Sequence, residues 1–129
     1  MTILCDTQAW IWIAVAPERF SRRTRVLVAD DDNDLLLSAA SAWEISIKWA
    51  LGKLLLPSNP SQFVSKHLAT TKTYPLAIEH SHALRVAELP RHHSDPFDRL
   101  LIAQAQVENV PVLTADPQFK LYDVEVIRA

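Results

Sequence analysis

The sequence has only one glycine, Gly52, and one cysteine, Cys5, in 129 residues. A single glycine excludes a P-loop and the dinucleotide-binding fingerprint, because both need several glycines at fixed spacing. A single cysteine excludes a disulfide framework and a cysteine-based metal cluster, and it is typical of a reducing, intracellular setting. We therefore expect a cytoplasmic protein whose chemistry depends on other side chains.

Long apolar runs and a strong charge of one sign are also missing. The longest apolar run, residues 9–17, is far below the roughly 20 residues of a membrane span. No cationic segment precedes it, so we expect neither a membrane protein nor a signal peptide. The formal net charge is −2, which does not itself predict nucleic-acid binding but leaves room for a local basic patch. With 49% hydrophobic residues, we expect a single domain over residues 1–129.

Short apolar runs alternate with helical patterns along the chain. The runs predict strands at about residues 3–5, 35–37, 73–77, 110–113 and 124–127. Helices are predicted at about residues 8–16, 18–29 or 21–29, 38–51 or 41–51, 60–70, 78–89 and 96–108. This alternation indicates a parallel sheet covered on both faces. Because crossovers between parallel strands are right-handed, the predicted fold class is α/β, a three-layer α/β/α sandwich with a central parallel sheet.

Two aspartates follow predicted strands. Asp6 comes directly after residues 3–5, and Asp116 comes shortly after residues 110–113. In open α/β sheets, ligands bind beyond the carboxyl ends of the strands, so both side chains are candidates for a binding site. Each also fits the N-cap of the next helix, since aspartate is among the best capping residues. The sequence leaves both interpretations open.

Glu44 lies on a helix that is apolar on nearly every side. Ser41, Glu44 and Lys48 are spaced so that they form one narrow polar stripe. A helix this apolar is expected to be mostly buried, so the stripe faces either solvent or a polar cavity. The alternative for Glu44 is a simple ion pair with Lys48, an i, i+4 arrangement that contributes about 0.2–0.5 kcal/mol.

The segment HSDPFDRLLIAQA begins with two aspartates around the start of a predicted helix. Asp95 occupies the N-cap position, Pro96 the first helical position and Asp98 the third. Capping accounts for Asp95, which we also expect to support a site. Asp98 falls on the apolar, inward face of the helix, where an unpaired carboxylate is costly unless it faces a cleft or a cation.

Four acids from four elements, Asp6, Glu44, Asp98 and Asp116, can thus meet at one end of a sheet. An all-oxygen set of ligands suits Mg²⁺ or Mn²⁺ rather than zinc. Clustered carboxylates repel one another without a cation, so we expect such a site to depend on metal. Carboxylate-bound cations in a cleft are typical of phosphodiester hydrolysis.

Four segments, LCDTQAWIW, SAASAWEISIKWALGKL, HSDPFDRLLIAQA and VLTADPQF, occur in an order and spacing that resemble PIN-domain ribonucleases, specifically VapC-type toxins of toxin–antitoxin pairs. The resemblance covers essentially the whole chain and implies a PIN-like α/β/α sandwich with an acidic site for Mg²⁺ or Mn²⁺. The family's acids fall on Asp6, Glu44, Asp98 and Asp116, without a departure. Thr114 takes the hydroxyl position two residues before the last acid, and Thr7 is a further supporting candidate.

The resemblance also implies an activity and partners. The activity is endoribonuclease cleavage in which water is the nucleophile, leaving 5′-phosphate and 3′-hydroxyl ends. The partners are an RNA substrate, a cognate antitoxin and a second copy of the chain in a homodimer. Lys48, Arg91 and Arg99 lie near the four acids in sequence motifs and are candidates for phosphate contacts. His92 and His93 could assist the site or cap a helix, but adjacent histidines point in different directions on most backbones, so we expect no metal role for them.

Two other functions are compatible with an acidic α/β domain. One is a PIN-like module that binds nucleic acid or protein but has lost its chemistry; retention of all four acids argues against it. The other is a phosphotransfer domain built on an aspartyl phosphate. Asp6 lacks a second acid two residues on, and no strand ends in the lysine that such sites generally use.

Overall fold

The computed structural model describes all residues from 1 to 129. Its single sheet has five strands, which are β1 (Thr2–Cys5), β2 (Asp34–Ser38), β3 (Thr73–Leu76), β4 (Val112–Thr114) and β5 (Val126–Arg128). The strands are all parallel and lie in the order β3-β2-β1-β4-β5. The chain therefore builds β1 to β3 in one direction and then crosses back to place β4 and β5 on the other side of β1.

Six α-helices connect these strands: α1 (Thr7–Val15), α2 (Arg22–Ala29), α3 (Ala39–Ala50), α4 (Pro60–Thr70), α5 (His80–Arg85) and α6 (Pro96–Glu108). Three 3₁₀ helices cover Pro17–Arg19, Val86–Glu88 and Pro117–Leu121. None of the helices combines the length and the apolar character that crossing a membrane requires. The parallel sheet with helices on both faces confirms the predicted α/β/α sandwich.

The core lies in two layers because side chains of a strand alternate between the faces of the sheet. Ile3 and Cys5 of β1 join one fully buried cluster, together with Trp10 of α1 and Phe63 of α4. Leu4, between them in sequence, joins the other cluster with the buried residues of α6. The two clusters fix α1 and α4 on one face of the sheet and α6 on the other.

The helix predicted over residues 78–89 is shorter in the structure. It starts at His80, because the side chains of Glu79 and His82 form a capping box with each other's backbone N–H groups. After Arg85 the chain tightens into the 3₁₀ turn Val86–Glu88. Arg99 donates to the carbonyl oxygens of Val86 and Leu89, which replaces the hydrogen bonds that a longer α-helix would make.

The prediction that α3 is mostly buried was wrong. Trp43 and Trp49 are 59% and 42% exposed, whereas Ser41 and Glu44 of the polar stripe are buried. The reason lies in the position of α3, which starts at the carboxyl end of β2 and turns its polar stripe toward the end of the sheet. The stripe thus faces a polar site, and part of the apolar surface faces outward.

Candidate metal centre

Asp6 and Thr114 meet where the two central strands end. The backbone N–H of Asp6 donates to the carbonyl of Leu113, which brings the chain after β1 beside the end of β4. Asp6 is the N-cap of α1, and its Oδ1 accepts from the N–H of Ala9 at 2.7 Å. Its Oδ2 accepts from the Thr114 hydroxyl at 2.5 Å. The capping bond and the threonine bond together hold the buried carboxylate in one orientation.

Asp116 is attached to the same threonine. Its backbone N–H donates to Thr114 Oγ1 at 3.0 Å. Its side chain caps the 3₁₀ turn Pro117–Leu121, with Oδ1 accepting from the N–H of Gln118 at 2.9 Å. Thr114 therefore joins Asp6 and Asp116 through one hydroxyl group, as its place two residues before the last acid requires.

Glu44 approaches from α3 and is only 5% exposed. Thr7 Oγ1 donates to Glu44 Oε1 at 2.6 Å and lies 2.9 Å from the hydroxyl of Ser41. Lys48 Nζ donates to Glu44 Oε2 at 2.5 Å. Glu44 thus forms the ion pair with Lys48 and also lies beside the residues that follow β1. Thr7, which begins α1 directly after Asp6, connects the two motifs.

Asp95 lies at the N-cap of α6 and Asp98 in its first turn, as their spacing predicts. Asp95 Oδ1 accepts from the N–H groups of Phe97 and Asp98, as an N-cap does. Asp98 lies in the first turn of α6 with a side chain that is 20% exposed. Pro96 takes the first helical position. Asp95 therefore sets the start of the helix from which Asp98 projects.

The charges of neighbouring acids act on the pKa of Asp98 and of Asp6. Burial, followed by the charges of Asp95, Glu44 and Asp6, raises the pKa of Asp98 from 3.8 to about 7, against an opposing effect of His93. Burial also raises the pKa of Asp6, with smaller contributions from the charges of Glu44 and Asp116. Crowded, desolvated carboxylates of this kind fit a divalent cation bound by oxygen ligands.

His93 is the site residue that the sequence did not predict. Its Nε2 lies 2.9 Å from Asp116 Oδ2 and 3.0 Å from Asp98 Oδ2. One ligand atom from each of these three residues falls within 4.8 Å of the others, which is a grouping able to hold a metal ion. His92 points elsewhere, against the ring of Tyr122. The available signal was the position of His93 two residues before the N-cap of a helix that carries an acid in its first turn.

The three predicted phosphate contacts occupy different environments. Lys48 lies at the acids, where its hydrogen bond to Glu44 raises its pKa and Asp95 and Asp98 add to the effect. Arg91 is exposed and lines a polar cavity of about 580 Å³ beside His93. Arg99 lines the same cavity, but its guanidinium already donates to three backbone carbonyls and to Tyr122. Phosphate contact stays a prediction for all three.

Comparison with known proteins identifies the class of protein. The family model for the PIN domain matches residues 3–125, so the chain belongs to the PIN domain family.

The similar proteins are of two kinds. Ribonuclease VapC16 from Mycobacterium tuberculosis (strain ATCC 25618 / H37Rv) is 46% identical over 59 residues, which are 46% of this chain and 42% of that protein. The match thus spans less than half of that relative. The solved structure of VapBC2 from Rickettsia felis, bound to a DNA fragment from their promoter, has a TM-score of 0.74 at 15% identity and covers 99% of this chain and 98% of that one. DNA-bound VapBC from Salmonella typhimurium has a TM-score of 0.67 at 17% identity, with 99% and 98% covered. The structural similarities establish the shared fold.

Proposed function

We propose that this chain is a metal-dependent endoribonuclease that acts as the toxin of a toxin–antitoxin pair. The observation that carries the proposal is the acidic edge of the sheet: Asp98 and Asp116 lie together with His93, and burial and the charges of neighbouring carboxylates raise the pKa of Asp6 and Asp98. Membership of the PIN domain family and the 46% identity over 59 residues to a protein named as a ribonuclease support the same activity.

The four acids are the proposed ligands of Mg²⁺ or Mn²⁺. Their donor atoms are carboxylate oxygens, which hard divalent cations prefer. When bound, such an ion lowers the pKa of a water molecule and offsets charge on the phosphate. The chain itself holds the carboxylates: Thr114 fixes Asp6 and Asp116, and Thr7 fixes Glu44. Water rather than the ribose hydroxyl is the proposed nucleophile, which leaves 5′-phosphate and 3′-hydroxyl ends.

RNA would approach along the cationic side chains around the acids. Lys48 lies beside Glu44 and is half exposed, and Arg91 is exposed in the polar cavity next to His93. Both side chains are accessible to solvent, and their N–H groups suit phosphate oxygens. Arg99 has fewer donors to spare, because most of its guanidinium is bound to the backbone.

An antitoxin protein and a second copy of the chain are the proposed partners, in the cytoplasm. The similarity to VapBC complexes over nearly the whole chain supports the antitoxin, and the second copy of the chain follows from the resemblance of the sequence motifs. An apolar surface agrees with it: Trp43 is 59% exposed on α3 and packs edge-on against Phe97 at 5.2 Å between ring centroids. Exposed aromatic residues of this kind are enriched at protein interfaces.

The direct test is to incubate the purified protein with total RNA in Mg²⁺, in Mn²⁺ or in EDTA, and to map the cut ends. We expect 5′-phosphate ends in the presence of metal, no cleavage in EDTA, and no cleavage by Asp6→Asn in any condition. Cleavage that persists in EDTA, or wild-type cleavage by Asp6→Asn, contradicts the proposal. A folded wild-type protein that cuts no RNA indicates the inactive binding module, and a covalent phosphate trapped on an aspartate indicates the phosphotransfer domain.

A further inference from the structure

We propose that His93 is a positioning residue of the acidic site, and that its Nε2–H group holds the carboxylates of Asp98 and Asp116 side by side. This inference rests on the proposed function for its biological meaning, because it assigns a fifth residue to the same site. Asp98 belongs to the first turn of α6, whereas Asp116 follows β4. His93 lies between the two acids and contacts both.

The hydrogen bonds of the imidazole ring define its tautomer. The backbone N–H of Asp95 points at His93 Nδ1 at 3.1 Å, so Nδ1 accepts and carries no proton. A neutral ring then has its proton on Nε2, which hydrogen-bonds to Asp116 Oδ2 at 2.9 Å and lies 3.0 Å from Asp98 Oδ2. A histidine that ligates a metal usually donates its other ring N–H to an acceptor. His93 has the reverse arrangement, which fits a donor to carboxylates and not a ligand.

The loop that carries His93 is held firmly enough for this role. Tyr122 Oη accepts from the backbone N–H of His92 at 3.1 Å and from that of His93 at 2.7 Å. Arg99 donates to the same phenol oxygen and to the carbonyl of Pro90. The His93 ring is 10% exposed and packs edge-on against Phe119. The side chain therefore has little freedom to turn away from the acids.

The expected consequence concerns the binding of metal. Asp116 has one oxygen held by the Gln118 N–H and the other by His93. Without His93, Asp116 loses a hydrogen-bond donor and Asp98 loses the imidazole beside it, so the two acids have to be brought together when the cation binds. Loss of such supporting partners typically reduces metal affinity by about 10–100-fold.

The first experiment uses neither metal nor RNA. In wild-type protein kept in EDTA, long-range ¹H–¹⁵N correlation spectra distinguish the two imidazole tautomers. We expect the Nε2–H tautomer for His93 and a changed Nε2 chemical shift in Asp116→Asn. An Nδ1–H tautomer, or a spectrum of His93 that Asp116→Asn leaves unchanged, overturns the proposal.

The second experiment measures the binding of Mn²⁺ alone by titration calorimetry and electron paramagnetic resonance. We expect His93→Ala to weaken binding by about 10-fold or more, His93→Gln to recover part of the loss through its amide N–H, and His92→Ala to match the wild type. Thermal unfolding of each variant shows whether it is folded. If His93→Ala does not fold, His93→Gln is compared with His93→Asn. The asparagine variant should bind Mn²⁺ more weakly than the glutamine variant, because its amide is too short to reach Oδ2. Equal affinity in the wild type and all His93 variants contradicts the role, as does nitrogen coupling from a directly bound His93 imidazole.

The two proposals can fail separately. If the wild type cuts no RNA but the tautomer and the Mn²⁺ affinities follow the expected pattern, the function is wrong and the role of His93 holds. If cleavage depends on metal but His93→Ala binds Mn²⁺ like the wild type, the function holds and the role of His93 is wrong.

Discussion

In Asp6 and Asp116, N-capping leaves oxygen positions available for the proposed binding of metal. An ionised carboxylate can accept about four hydrogen bonds, so a cap uses only part of its capacity. In Asp6, the cap to Ala9 occupies Oδ1 and Thr114 occupies one position of Oδ2. The sequence left two interpretations open for each aspartate, and the geometry accommodates both. Capping even favours a ligand role, because it fixes the orientation of the carboxylate.

At the residue scale, the acids could be predicted and His93 could not. An acid that follows a strand or begins a helix has a position set by regular backbone geometry. His93 belongs instead to the loop before α6, where the direction of the ring depends on Tyr122, which lies 29 residues further along the chain. A contact of this range leaves no periodic pattern in the sequence.

Asp98 makes the metal-free protein less stable as the pH rises. Its pKa in the folded protein is about 7, whereas an unfolded chain has about 3.9. Between these values the folded state binds more protons, so the free energy of unfolding falls from about pH 4 to about pH 7. Asp98→Asn removes this contribution, and we expect its advantage over the wild type to grow through that range and then stay constant. The pKa of Asp6 is also raised, so the stability of Asp98→Asn should still fall somewhat as the pH rises.

The measurement is denaturant unfolding in EDTA at a series of pH values. The exposed Asp31, whose side chain pairs only with Lys72, provides the control Asp31→Asn. If the free energy of unfolding depends on pH in the same way for the wild type and Asp98→Asn over the whole range, the pKa of Asp98 is not raised in the folded protein.

At the element scale, the orientation of helix α3 and the conformation of the loop before α6 could not be predicted from the sequence. The existence and approximate bounds of α3 follow from its composition, but its rotation about its own axis does not. The spacing of apolar residues along a helix is the same whether they face the core or an exposed surface. Trp43 and Trp49 lie at exposed positions. The polar stripe of Ser41, Glu44 and Lys48 was the better guide, because a buried polar group must find a partner.

Tyr122 connects the loop to the body of the protein, and its removal should loosen that loop alone. Tyr122→Phe leaves the backbone N–H groups of His92 and His93 without their acceptor. We expect a loss of about 0.5–1.5 kcal/mol in the free energy of unfolding, the usual net contribution of a hydrogen bond, because both amides are only partly buried and water can reach them. Hydrogen exchange should become faster at these two amides and remain unchanged in β1 and β4. Tyr74→Phe, at a 57% exposed tyrosine, is the matched control. Unchanged exchange at His92 and His93 would contradict this role of Tyr122.

At the scale of the whole molecule, the order of strands places the site. The chain reverses its direction of sheet building between β1 and β4, and in open α/β sheets the crevice at such a point is the usual binding position. Asp6 follows β1 and Asp116 follows β4, one on each side of this crevice. Alternating strands and helices predicted the parallel sheet, and the strand-end acids predicted the edge at which the candidate site lies. The strand order itself was not predicted, because short apolar strands do not specify their neighbours.

Because the acids come from the end of β1, α3, α6 and the turn after β4, a cation at this point would connect elements from across the whole chain. Mg²⁺ or Mn²⁺ should therefore raise global stability, by about 2.7 kcal/mol when the free ion is at 100 times its dissociation constant. Asp6→Asn should lose this stabilisation, whereas Asp31→Asn should keep it. Thermal unfolding against metal concentration measures the effect at a pH above 7, where Asp98 is ionised in the folded protein. A melting temperature that does not respond to either ion in the wild type would show that the four acids do not form a cation site.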